Sequence, residues 1–324
     1  MYIFDNQIKN LVEAEIVKGT TGNMPLKKDG WNFNWRSTIK RKNTSTYVLR
    51  LKSNPSSIQG VLHLKIQEGM LIMDLVEIAP HNLGQKNKRY KHVAGCLIAF
   101  ACRESFKLET TYKGFLTFES KTQLIDWCKA HYYTKVAMGQ KMYIESPDGE
   151  KLIDEYLKRN KKIMAKNKSK EPQNGSLTTP MNVNSREFKE FQLFLSNKVD
   201  SLEDEQKLRI ELLALQIKIE DYLNSNELDS DMMTVGDFLR LYLDKLDIRQ
   251  NMLAKYIGLK PSNFSKILSG TRKVNFELSF ILSQIFKLDP KVWMLIQVKN
   301  EYLELKKKKN KYFQNFKLED LLKV

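Results

Sequence analysis

Two groups of residues in this chain have the types and spacing to do chemistry. Between positions 260 and 272 the sequence reads KPSNFSKILSGTR, where Lys260, Ser262, Asn263, Ser265, Lys266 and Arg272 interleave with Phe264, Ile267 and Leu268. At helical spacing the three apolar residues share one face and leave the polar ones on the other. Cationic, hydroxyl and amide side chains in that setting bond phosphates and base edges. Arg249 and Gln250, opening the preceding helix, join the same set. The second group is Glu77, Ile78 and Ala79 at the end of an apolar run, followed by Arg89, Tyr90, Lys91, His92, Val93, Ala94 and Gly95. Small residues at a helix start let an anion approach unpaired backbone N–H groups.

The first group needs helices on both sides. Thr234 and Asp237 form a capping box opening a helix with Val235, Phe238, Leu239, Tyr242 and Leu246 on one face. A short helix over 249–257 is expected to turn Met252, Leu253, Tyr256 and Ile257 inward, and Gly258 to end it with positive φ. Pro261 suits a first helical position, so a third helix runs over 261–269. Two helices joined by a Gly-containing turn form a helix-turn-helix unit, whose second helix enters the DNA major groove.

The second group needs a sheet. Residues 59–65 and 69–79 read as antiparallel strands joined by a tight Gln-Glu-Gly turn. RYKHVAGCLIAFACRESFKL follows as a helix, YKGFLTFES as a strand, SKTQLIDWCKAHYY as a helix and KMYIES as a last strand. The whole is α+β: a mixed sheet with helices, then an all-helical domain.

At 324 residues the chain suits two domains. Its formal charge of +16 favours a polyanionic partner, and the charge is uneven. Residues 1–180 hold 30 Lys and Arg against 17 Asp and Glu; residues 181–324 hold 24 against 21. Cys96, Cys102 and Cys128 make an odd set without metal spacing, read as free buried thiols in a reducing compartment. The first residues, MYIFDNQIKN, lack the pattern of a secretory leader, and no stretch reads as a membrane span. A cytoplasmic protein with no metal site is expected. No Ser-His-Asp set or Walker loop is present in the sequence.

A change of composition divides the chain. Residues 158–180 are rich in Lys, Asn, Ser, Pro and Gly and read as flexible linker. After them, Phe188, Phe191, Leu195 and Val199, then Leu208, Leu212, Leu215, Ile219 and Tyr222, recur every three or four residues, as in a helical hairpin with a narrow apolar seam. The expected plan is a domain over 1–160, a linker over 161–184, a neutralising or dimerising hairpin over 185–230, a DNA-binding domain over 231–305 and a basic tail over 306–324.

Residues 234–297 resemble the lambda-repressor-like (XRE) helix-turn-helix family, in particular its antitoxin subgroup. Gln250, Ala254, Gly258, Ser269 and Gly270 meet its pattern. The first 160 residues resemble GNAT acetyltransferases, whose Gln/Arg-x-x-Gly-x-Gly/Ala motif aligns with residues 89–94, with His92 where the family has its first Gly. That resemblance implies acetyl-CoA as cofactor, its pyrophosphate held by backbone N–H groups of residues 89–95. The Ile78 and Ala79 backbone would polarise the thioester carbonyl. Glu77 is the candidate general base, set against a purely structural carboxylate. Tyr132 and Tyr133 are candidates for the acid that protonates the CoA thiolate.

Together the halves suggest a fused toxin–antitoxin protein: an acetyltransferase acting on aminoacyl-tRNA or another amine, joined to a homodimeric operator-binding autorepressor. The alternative is a transcriptional regulator whose GNAT-like domain senses acetyl-CoA or is degenerate.

Overall fold

The computed structural model describes residues 1–83, 88–159, 175–225, 232–313, 315–316 and 318–321. The fold is α+β, a curled mixed sheet with helices followed by an all-helical region. It divides into two units, Met1–Glu203 and Asp204–Val324.

The first unit starts with β1 (Tyr2–Asp5), β2 (Asn10–Lys18) and, after helix α1 (Trp35–Thr38), β3 (Thr44–Leu51). β4 (Ile58–Gln67) and β5 (Met70–Ile78) form the expected hairpin. Its two-residue turn puts Glu68 at φ 50° and Gly69 at φ 78°, the left-handed pair that a twisted hairpin favours. All nine residues of β5 are buried, so this strand lies at the centre of the unit. β6 (Tyr90–Lys91) is followed by α2 (Val93–Ser105), β7 (Leu116–Ser120), α3 (Ile125–Tyr132), β8 (Lys135–Met138), β9 (Lys141–Ile144) and α4 (Ser146–Leu152), which runs into a π-helical turn, Ile153–Leu157. The strand order is β6-β1-β2-β3-β4-β5-β7-β9-β8. β5 and β7 run parallel, while the other described pairs are antiparallel.

Two expectations change here. Residues 90–91 were expected inside a helix, but they pair with β1, Phe4 opposite Lys91 and Asp5 opposite Tyr90. His92 at φ 73° then breaks the chain direction, and α2 begins only at Val93. Part of the expected linker is sheet: β10 (Thr178–Thr179) pairs with β7. The linker's residues 161–174 lie outside the described residues.

The predicted hairpin is divided between the units. In α5 (Arg186–Asp200), the seam residues Phe188, Phe191, Leu195 and Val199 pack with Met70, Ile72 and Tyr143 of the first unit's sheet and with Tyr112 and Phe115 just before β7. In α6 (Asp204–Asn224), Leu215, Ile219 and Tyr222 join the second unit's core. A three- and four-residue spacing marks an apolar face, not its partner.

The second unit continues with α7 (Val235–Lys245), α8 (Gln250–Tyr256), α9 (Pro261–Leu268), α10 (Phe276–Phe286), α11 (Pro290–Phe313) and α12 (Leu318–Leu321). Its core gathers Phe238, Leu239, Tyr242, Phe264, Leu282, Trp293 and Ile296. The expected basic tail begins within α11, whose Lys306, Lys307 and Lys308 are exposed. No helix among the described residues is long and apolar enough to cross a membrane.

Candidate functional sites

The capping box forms as expected: Thr234 N–H donates to Asp237 Oδ2 at 2.8 Å and Asp237 N–H to Thr234 Oγ1 at 3.1 Å. It fixes the start of α7, whose Gly236 lies directly against the C-terminal end of α9. A Cβ there would stand 2.1 Å from the Leu268 carbonyl oxygen. Gly258 closes α8 at φ 73°, and Pro261 opens α9. Phe264, Ile267 and Leu268 are buried beneath α9.

This leaves Lys260, Ser262, Ser265, Lys266 and Arg272 exposed, with Arg249 and Gln250 exposed at the start of α8 and Asn263 half-buried. Among the described residues, none of Arg249, Lys255, Lys260, Lys266 and Arg272 is held in an ion pair. Their charge is therefore available to a polyanion. The loop after α9 is braced: Arg272 N–H donates to the Lys266 carbonyl at 2.9 Å, and the Gln297 side chain accepts from Val274 N–H at 2.6 Å and donates to its carbonyl at 3.0 Å. Two side chains of α8 differ from expectation. Met252 and Tyr256 are exposed, because the seven-residue helix docks through Leu253, Ala254 and the half-buried Ile257, about 100° round the axis.

The second group lies at the end of β5 and the start of α2. Glu77 is 1% exposed. Its Oε1 accepts from Asn32 N–H (2.6 Å) and Asn32 Nδ2 (2.8 Å), and its Oε2 from Trp35 Nε1 (2.9 Å) and Phe33 N–H (3.4 Å). Four donors fill the acceptor positions of a carboxylate. The geometry is that of an anchor for the loop before α1. Ile78 N–H donates to the Gly175 carbonyl at 2.9 Å, and Ala79 N–H to the Gln59 carbonyl at 2.8 Å. Both main-chain donors expected to polarise a carbonyl are thus used by the chain itself.

Arg89 faces Asp5 at 3.8 Å and stacks over Tyr90, while Lys91 lies over Phe4. These residues brace the β1 edge. Val93, Ala94 and Gly95 are buried in the first turn of α2. Burial pushes the His92 ring down to about 3, with the charges of Arg159, Lys88 and Lys91 acting in the same direction. The ring of Tyr156, from the π-helical turn, covers Gly95 so closely that a Cβ there would meet its Cε1 at 2.1 Å. Tyr132 is buried beside Tyr156 and Trp127, and burial raises its hydroxyl well above the usual range. Tyr133 ends α3 at φ 52° and donates to Glu155 Oε1 at 2.5 Å; that bond pushes its pKa up to about 12.

The structure therefore brings Tyr132, His92 and Gly95 into one aromatic cluster through Tyr156 and keeps Glu77 and Tyr133 in separate hydrogen-bonded settings. Residues 175–179 and Tyr156 are not marked by the sequence pattern. The signal available for the first was two adjacent β-branched threonines inside a stretch otherwise read as linker. Acetyl-CoA fits this site by charge, since Lys88, Lys91 and Arg159 set a positive field at the start of α2. With residues 175–179 in place it does not fit by space, because the Gly175 carbonyl occupies the Ile78 donor. The three thiols are buried; burial pushes Cys96 up to about 12 and Cys128 up to about 11. No group of His, Cys, Asp and Glu suited to a metal ion occurs among the described residues. No known family model matches the chain, and no curated protein matches it.

Proposed function

We propose that this chain is a sequence-specific DNA-binding regulator, similar to the lambda-repressor-like helix-turn-helix proteins, whose N-terminal half is an acetyltransferase-like domain kept from acetyl-CoA by its own chain. The observation that carries this reading is the exposed polar set on and beside α8 and α9: five cations held in no ion pair among the described residues, with Ser262, Asn263 and Ser265 set over a buried Phe264, Ile267 and Leu268. A homodimer suits this reading, because operators of such proteins repeat one helical turn apart. Exposed Phe276 and Phe280 on α10 and Leu295, Val298 and Tyr302 on α11 offer apolar surface for it. The test is fluorescence anisotropy of the full chain on duplex DNA across a salt series. The logarithm of the affinity should fall linearly with that of the salt concentration, and Lys266→Ala should reduce the slope by about one. An affinity that ignores salt would refute it.

A second reading, the fused toxin–antitoxin protein, is favoured by the positive field at the start of α2 and by the basic first half, which suit a nucleotide cofactor and a tRNA substrate. Release of CoA by the full chain in the presence of aminoacyl-tRNA would establish that reading over the first.

A further inference from the structure

β5 and β7 are parallel neighbours that stay together for only two residue pairs, Leu71 with Leu116 and Ile72 with Thr117. Beyond them the strands diverge, which would leave buried main-chain donors and acceptors along both inner edges without partners. Residues 175–179 fill this gap. On the β5 side, Ile78 N–H donates to the Gly175 carbonyl at 2.9 Å and Leu177 N–H to the Val76 carbonyl at 3.3 Å. The Thr178 hydroxyl accepts from Val76 N–H at 3.2 Å and donates to the Asp74 carbonyl at 3.1 Å. On the β7 side, Thr178 lies opposite Ser120 and Thr179 opposite Glu119. Ser176, Leu177 and Thr178 are each 2% exposed or less.

We propose that residues 175–179 are an autoinhibitory strand, the Gly175 carbonyl holding the N–H of Ile78 that an acyl thioester would otherwise engage. The proposal rests on the acetyltransferase-like reading of the first unit and concerns its regulation. An amide carbonyl and a thioester carbonyl are the same kind of acceptor, so the two compete for one donor. The strand is suited to leave. It is short, and on the β5 side a threonine hydroxyl stands in for part of the main-chain ladder, while the Leu177 bond is long for an amide pair. Its downstream end is fixed, because α5 is anchored to the sheet through Phe188, Phe191 and Leu195. The strand therefore stays near its groove after leaving, and return is favoured by high local concentration.

The test is calorimetric titration of acetyl-CoA into four full-length proteins: wild type, Thr178→Val, Leu177→Asp and the double variant Glu119→Cys/Thr179→Cys. Residues 119 and 179 are register partners on antiparallel strands, with a Cα separation of about 4.5–5.5 Å that a disulfide spans. The three native thiols are buried with raised pKa values and stay out of the exchange. Thr178→Val removes two hydrogen bonds at constant shape, and Leu177→Asp makes the seated strand unfavourable. Each should tighten acetyl-CoA binding about tenfold or more over wild type, because binding no longer has to displace the strand. The oxidised double variant should show no binding and reductant should restore the wild-type titration. Binding to the oxidised variant equal to wild type overturns the autoinhibitory strand and leaves the acetyl-CoA reading standing. No binding to any of the four, with near-ultraviolet dichroism showing each folded, overturns the acetyl-CoA reading and the strand's role with it.

Discussion

Replacing Gly236 by alanine sets two effects of opposite sign against each other. At the second position of α7, in its first turn, alanine is favoured over glycine by at most about 1 kcal/mol of helix propensity. The added Cβ, however, would sit 2.1 Å from the Leu268 carbonyl oxygen and 2.6 Å from that of Ile267. Both contacts are main-chain atoms at the end of α9, which no rotamer change can move. Overpacking of this kind costs about 1–3 kcal/mol or more, so the clash wins and the second unit loses roughly 1–2 kcal/mol. The loss falls on the helix that carries Asn263 and Lys266. Native-state hydrogen exchange of the full chain reads it locally: amides of α7 and α9 should exchange about 5–30 times faster, while those of β4 and β5 hold their rates. Gly149→Ala in α4 is the control. Its Cβ meets Cys102 Cβ at 3.4 Å and nothing closer, an ordinary contact, so propensity prevails and the first unit gains about 0.5–1 kcal/mol. Exchange in α7 and α9 that is unchanged or slower in Gly236→Ala would refute the close approach of these helices.

Glu77→Gln should destabilise the first unit by about 1–3 kcal/mol in chemical denaturation, because an amide NH2 must then face donors from Asn32 or Trp35; an unchanged midpoint would contradict the anchoring role. Acid should weaken the same unit. Burial holds the His63 ring at about 4, below its ordinary 6.5, so the stability it contributes is complete above pH 6.5 and is lost as pH falls toward 4, to the extent of roughly 3 kcal/mol. His92, at about 3, acts in the same direction over a wider range, while Asp74, raised by burial, holds its proton more readily when folded and offsets part of the acid loss. In His63→Gln the fall of stability between pH 6.5 and 4 should be shallower, and an identical profile would remove His63 as its source. Asn263→Ala should cost about 1–3 kcal/mol on one operator position only; uniform weakening across sequences would make Asn263 a phosphate contact.

The helices α7, α8 and α9 were legible because their signals are local. Thr234 with Asp237, Gly258 and Pro261 each act within a turn of their own helix. The β4–β5 hairpin was legible for the same reason, through Glu68 and Gly69. What escaped depends on distant partners. β1, β2 and β3 carry interleaved polar residues, and their pairing brings Tyr90 and Lys91 to an edge that no local pattern announces. Met252 and Tyr256 were misplaced because a seven-residue helix offers too few turns to tell one face from the next. The seam of α5 is legible in its residues, while its partner stays open in the sequence, since Phe188 and Phe191 would show the same spacing against a sheet or a helix. Residues 175–179 look like linker by composition; only the gap between β5 and β7, a product of the whole sheet, makes them a strand.

That the exposed residues of α8 and α9 read DNA sequence is the proposal on which the function of this chain rests. Its most direct test is selection of duplexes from a random pool by the full chain, followed by affinity measurement on the enriched sequence with wild type and Asn263→Ala. Inverted half-sites about one helical turn apart are expected, bound at least about 10³ times more tightly than unrelated duplex, with that preference reduced in Asn263→Ala. A pool that stays random, or a wild type that binds every duplex alike, would contradict it.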